Sequence, residues 1–229
     1  MTKSGIFLLL FLLLVPAATA ATISISPDAI ESGDTVTVNV NDLPDGAAFS
    51  LGIRGEFAAT PNSTFAFTAR DLTLPFSLTS GEVNAYTKGT NWTRLSAELP
   101  DGGSVSMNYT AKNGEVLISQ PRNIPSGTLS LVALDGKAAA TSIIADLTVL
   151  GTKQGPADGT ISFALDGVER GTATVTVYID GAEALSRAIT IGGGAPTPTA
   201  TTTQSSGGDG VSSGPGGSSG GSTGPAPTE

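Results

Sequence analysis

Apolar and polar residues alternate with a period of two along most of this chain. Val36, Val38 and Val40 are interleaved with Thr and Asn in GDTVTVNVND, and Leu72, Leu74, Phe76 and Leu78 with Thr73, Pro75 and Ser77. Ala173, Val175, Val177 and Ile179 are interleaved with Thr174, Thr176 and Tyr178. Successive side chains of a strand point to opposite faces, so each run has one apolar and one polar face, as in antiparallel sheets packed on one side. No stretch places its apolar residues at helical spacing. The pattern predicts strands at 22–26, 34–41, 48–57, 63–70, 72–78, 82–87, 92–99, 104–110, 115–119, 127–134, 141–150, 160–165, 172–179 and 184–191. Pro75 is expected to put its strand at a sheet edge, because proline cannot donate to a ladder.

The turns between these runs share one idiom. Asp-Gly occurs at 45, 101, 135, 158, 166 and 180 in the strand-rich part, and Asn-Gly at 113. These dipeptides tolerate positive φ and favour hairpins, so most strands adjacent in sequence are expected to be adjacent in a sheet. LPDG appears twice, at 43–46 and 99–102, and reads as corner chemistry: proline presets φ and Asp-Gly completes the turn. The predicted fold is all-β, a hairpin-rich antiparallel β-sandwich over 21–150. GTKQGPADG at 151–159 reads as a linker. The three strands beyond it, in 151–193, form an extension packing on the first domain or a small second β unit.

Both ends differ from this body. Residues 1–20 have the layout of a secretory signal peptide: basic Lys3, an apolar run from Ile6 to Val15, Pro16, then small residues up to Ala20. The run is too short to span a bilayer, so cleavage before Ala21 and no transmembrane helix in the mature chain are expected. Residues 194–229 turn to Pro, Thr, Ser and Gly, with Val211 the one sizeable aliphatic residue, which predicts a disordered stalk or linker. Loss of Lys3 leaves 10 basic against 20 acidic residues, a balance that excludes nucleic acid and anionic lipid as partners. With no cysteine, an exported protein gains nothing from disulfides and must be held by its core.

The stretch ISISPDAIESGDTVTVNV, with a short strand, Pro27, Gly33 and then valines at period two, resembles the start of immunoglobulin-like β-sandwich modules in secreted prokaryotic surface proteins. It has a looser likeness to cohesin modules. Signal, β modules and Thr-rich stalk together resemble archaeal envelope proteins, in which a hydrophobic sorting segment often follows. The chain as given departs from that pattern at this segment, which counts against the tethered reading. The resemblance implies an immunoglobulin-like or related sandwich with a role in the envelope.

The residue inventory narrows the chemistry. There is no histidine and no cysteine, which excludes Ser-His-Asp and Cys-His catalysis, imidazole acid-base work and the usual zinc sites. A Gly-x-Ser-x-Gly match at Gly210–Gly214 falls in the low-complexity tail without the strand, helix or histidine it requires. Carboxylates remain, and Asp71, Glu82, Glu98 and Glu115 are candidates for a glycosidase pair. No cofactor is implied. Calcium is the one metal for which oxygens gather, around Asn39, Asn41, Asp42 and Asp45, without the spacing of a 12-residue calcium loop. Sequons at Asn62, Asn91 and Asn108 are candidate glycosylation sites. Alternation is expected to send Trp92 and Tyr109 into the core while Asn91 and Asn108 meet solvent; an exposed Trp92 would instead be a platform for stacking a glycan.

The leading expectation is a non-catalytic extracellular or cell-envelope module with a structural or adhesive role, whose partners are other envelope proteins or surface glycans. The alternative is a carbohydrate-binding module using Trp92, Tyr86 or Tyr109. A third reading is a carboxylate-dependent glycoside hydrolase.

Overall fold

The alternating runs become strands whose apolar faces meet between two sheets. The computed structural model describes residues 21–98 and 103–193, and the signal, the second LPDG and the C-terminal stalk lie outside them. One sheet runs, in spatial order, β1 (Thr22–Ser26), β3 (Thr35–Asn41), β12 (Gly159–Asp166), β5 (Thr64–Leu74), β10 (Gly127–Ala138), β7 (Thr90–Glu98) and β8 (Ser104–Thr110). The other runs β2 (Ala29–Ile30), β14 (Ala182–Ile191), β13 (Gly171–Ile179), β4 (Ala48–Ala58), β11 (Ser142–Gln154), β6 (Ser77–Lys88) and β9 (Glu115–Pro121). All pairings are antiparallel except β2 with β14. The protein is an all-β sandwich.

The expected order of strands is overturned. Only β7 with β8 and β13 with β14 are neighbours both in sequence and in a sheet; every other connection arches from one sheet to the other. Alternation says which face of a strand is buried, but not whether the next strand folds back beside it or crosses over. Asp45-Gly46, Asn113-Gly114, Asp158-Gly159 and Asp166-Gly167 therefore lie at arches, and Asp180-Gly181 closes a same-sheet hairpin with φ of 52° and 79°. Asp135-Gly136 is no turn at all: it lies inside β10, opposite Arg94 and Thr93 of β7. Glycine is needed there because a Cβ at Gly136 would stand 2.2 Å from the carbonyl oxygen of Trp92.

β11 runs through residue 150; of the three strands beyond it, β12 is inserted between β3 and β5, and β13 and β14 add to the other sheet beside β4. Pro75 is not in a strand; it lies in the arch between β5 and β6, and β5 is internal. The predicted strands at 63–70 and 72–78 divide differently, because Asp71, with φ of 51°, is a bulge residue within β5. The extra residue lets Ala69 and Leu72, three apart, both face inward.

The core is built on valines and phenylalanines. Val36, Val38 and Val40 are fully buried, as are Phe49, Leu51 and Phe67. Phe49 meets Phe76 edge to face at 5.1 Å, and Phe57 stacks on Phe67 at 6.3 Å. Across β4, β11 and β13, Gly55, Ala145 and Ala173 form a row of small side chains. A Cβ at Gly55 would lie 2.6 Å from the Phe67 ring, so this floor is what admits the ring. Thr87, Thr90 and Thr93 are buried where β6 crosses to β7, and their hydroxyls bond one another, Thr87 to Thr93 at 2.6 Å.

Candidate functional site

Trp92 is not a core residue. In β7 the inward positions are taken by Thr93 and Leu95, so Trp92 and Arg94 point out of the sandwich, with Trp92 half-buried against its own sheet. The phase was already set in the sequence by Leu95, Ala97 and Leu99, to which Trp92 is out of step. Trp92 stands between Thr110 of β8 and Lys137 of β10, and Arg94 between Asn108 and Asp135. Arg94 and Asp135 form a two-pronged ion pair, Nε to Oδ1 at 3.0 Å and Nη2 to Oδ2 at 2.9 Å. The hydrogen bond to Asp135, and then its charge, raise the affinity of the guanidinium for its proton.

Trp92 and Arg94 line an open groove of about 370 Å³ with Asn91, Asn108, Tyr109 and Thr110. It joins an indole to amides, hydroxyls and a guanidinium fixed by Asp135. Such a surface offers an apolar plate for a ring and oriented donors and acceptors at its rim. Tyr109, expected in the core, is 38% exposed because its strand is the last of its sheet. Tyr86 is on the other sheet, where burial and then the Glu115 carboxylate raise its pKa. A larger hollow of about 480 Å³ opens among loops around Thr60, Ser63, Glu169 and Arg170, with no outward aromatic in its lining beyond the core rings of Phe57 and Phe65.

The three sequon asparagines differ in freedom. Asn62 sits at the β4–β5 arch with φ of 67° and is exposed, and Asn108 is exposed on β8. Asn91 donates its side-chain N–H to the carbonyl of Ala138 at 3.1 Å, and the hydroxyl of its sequon partner Thr93 belongs to the buried threonine cluster.

Among the calcium candidates, the side chains of Asn39 and Asp45 have partners within the chain. Asn39 accepts from Thr160 Oγ1 at 2.9 Å and donates to Ser24 Oγ, so neighbouring strands hold its amide. Asn41 is exposed at the end of β3, and Asp42, with φ of 57°, donates its N–H to Asp158 Oδ1 at 2.8 Å. Asp45 Oδ1 accepts from Lys153 Nζ at 2.9 Å and from the Gly155 N–H at 2.8 Å. The bond from Lys153, then that from Gly155, hold the Asp45 carboxyl below its ordinary value. The cation at this corner is thus an ammonium from the chain itself. Among the described residues no group of three or more His, Cys, Asp or Glu is placed to hold a metal.

Sequence reasoning missed Lys153, whose residue is 0% exposed. It lies in β11, in the stretch taken for a linker, and donates also to the Gly155 carbonyl at 2.5 Å with Phe76 beneath. The signal that finds it is parity: Ile143, Ala145, Leu147, Val149 and Lys153 all take the inward face of one strand. The first LPDG folds over this side chain. Gly46 donates to the Lys153 carbonyl and the Lys153 N–H to that of Ala47, each at 2.9 Å, and Leu43 is buried alongside.

The four candidate carboxylates are divided between the two sheets, Asp71 and Glu98 on one and Glu82 and Glu115 on the other. Glu82 accepts from the Ser119 hydroxyl, and Glu115 pairs with Lys88 at 3.3 Å. Glu82 and the partner of Glu115 are six residues apart along β6, about 20 Å, beyond the separations used by glycosidase pairs. Asp71 is the bulge residue of β5, and Glu98 lies two strands away across β10. No protein-family model matches this chain, and no curated protein is similar to it.

Proposed function

We propose that this protein is an exported, non-catalytic β-sandwich module of the extracellular space or cell envelope, of the immunoglobulin-like kind, with a structural or adhesive role. The observation that carries this reading is the Trp92 groove, a recognition surface of ring, amides and paired charges set on the rigid outer face of a well-filled sandwich. The signal-like residues 1–20 and the absence of histidine and cysteine support export and a non-catalytic role. Expression from the native start tests the first half. The reading expects the chain in the envelope or medium with Ala21 at its N-terminus; an uncleaved chain retained inside the cell overturns it.

The groove also favours a second, narrower reading, a carbohydrate-binding module. A sugar ring stacks on Trp92 while Asn108 and the Arg94–Asp135 pair meet its hydroxyls. A glycan panel tests it: retention of a glycan that is lost in Trp92→Ala, with the fold intact, supports it, and an empty panel leaves adhesion to protein partners. Glycan carried at Asn108 would share this face, so deglycosylated protein is the proper probe.

A further inference from the structure

We propose that two copies of this chain associate through β9, joining their seven-stranded sheets into one. This goes beyond the functional reading and does not use the Trp92 groove. Among the described residues β9 is the last strand of its sheet and pairs only with β6, so one side of its backbone has no partner strand there. Arg122, one residue past its end, donates its N–H to the carbonyl of Gly81 in β6 at 2.7 Å. By the alternation of an antiparallel ladder, the even residues of β9 turn their backbone groups toward β6, and Leu117 and Ser119 turn theirs outward. Glu115 satisfies its outward groups locally with Lys112, at 3.0 and 2.9 Å.

The usual protections of an edge are missing here. β9 carries no lysine, its one proline is its last residue, and its pairing with β6 runs without a bulge. Leu117 stands on its outer face 73% exposed, the most exposed of the three large apolar side chains left in solvent among the described residues. By contrast the other edge of the same sheet has a bulge opposite Val177 and Tyr178 and is partly covered by β2.

One register uses what is free. With Ile118 of each copy opposite Ile118 of the other, Leu117 faces Ser119 of the second copy and Ser119 faces its Leu117. Both are pairs whose N–H and C=O groups point at each other, so the outward groups of Leu117 and Ser119 all find partners. Leu117 is then enclosed by Tyr86 of its own copy and by Leu117 and Pro121 of the other, since diagonal neighbours lie within reach of long side chains. Glu115 is the only charge on β9, so no like charges oppose in a chain of formal net charge −9.

Sedimentation velocity on the full mature chain, with Kd in the micromolar range, reads the association. Leu117→Lys is expected to return it to monomer without loss of folding. The chain has no native cysteine, so single substitutions report the register. Directly opposed residues have Cα atoms about 5.5 Å apart, within disulfide range. Mixing Leu117→Cys with Ser119→Cys is therefore expected to give a mixed disulfide about tenfold faster than either variant alone, because pairing raises their effective concentration. A monomer at every concentration, with equal cross-linking rates in all three samples, overturns the proposal. A dimer that persists in Leu117→Lys overturns it too.

Discussion

The two long edges of the sandwich are finished in opposite ways. On one side the chain leaves β1, passes a cis Ser26–Pro27 bond, crosses to the other sheet and lies parallel to the end of β14 for two residues. Thr190 donates to the Asp28 carbonyl at 3.0 Å, Gly192 to that of Ile30 at 2.9 Å, and Arg187 pairs with the Asp28 carboxylate. Ile25, Ile30 and Ile191 are buried beneath this lacing. On the other side β8 and β9 meet only at the Asn113-Gly114 turn. Val105 and Met107 stay half-buried there, and an apolar crevice of about 130 Å³, lined also by Leu95, Ala97 and Pro121, lies between the sheets. A single crossing of a few residues is enough to close a sandwich edge, and where the chain does not supply one, apolar surface remains for a partner.

The largest expected effect tests that asymmetry directly. Ile25→Ala should cost about 2–5 kcal/mol by leaving a cavity under the laced edge, while Met107→Ala, already half in water, should cost about 1 kcal/mol. Urea unfolding of both measures the difference, and equal costs would remove the distinction between the edges. Next, hydrogen exchange should show the β8 amides opening well before the amide of Ile25, because local stability follows packing.

Acid supplies a smaller test. The Asp28 carboxyl is held below its ordinary value of 3.8 chiefly by the hydrogen bond from Arg187. Its contribution is therefore complete above pH 3.8 and is lost as the pH falls through the lower folded-state value. Asp28→Asn should remove that part of the acid sensitivity, read as a flatter stability profile below pH 4. The smallest effect belongs to the open edge. Leu117→Lys should change the stability of the monomer by less than about 0.5 kcal/mol, measured in dilute solution, since little surrounds the side chain.

How far the sequence is legible follows from what alternation encodes. The inward sets Val36, Val38, Val40 and Phe49, Leu51, Ile53 could be read directly, because burial on one face leaves a period of two. The interleaving of the sheets could not, because an Asp-Gly turn serves a hairpin at 180 and an arch at 45 equally well. Alternation alone separates Trp92 from Asn91 and Thr93 without saying which face is inward; Leu95 and Ala97 set that phase, and Lys153, in a stretch that reads as a linker, continues the inward face of β11. Of the candidate sites, the Trp92–Asn108 neighbourhood depends on the register of β7 with β8. That register brings residues 16 apart into one groove and leaves no mark on either segment alone.

The corner at Asp45 has one more use. Four lysines follow residue 20, and Lys88, Lys112 and Lys137 all reach solvent while Lys153 does not. An amine-reactive reagent should therefore modify three of them at once in the native protein and spare the fourth. Lys153 would then act as a built-in chemical clock, acquiring its label only as fast as the Leu43–Ala47 loop lifts away.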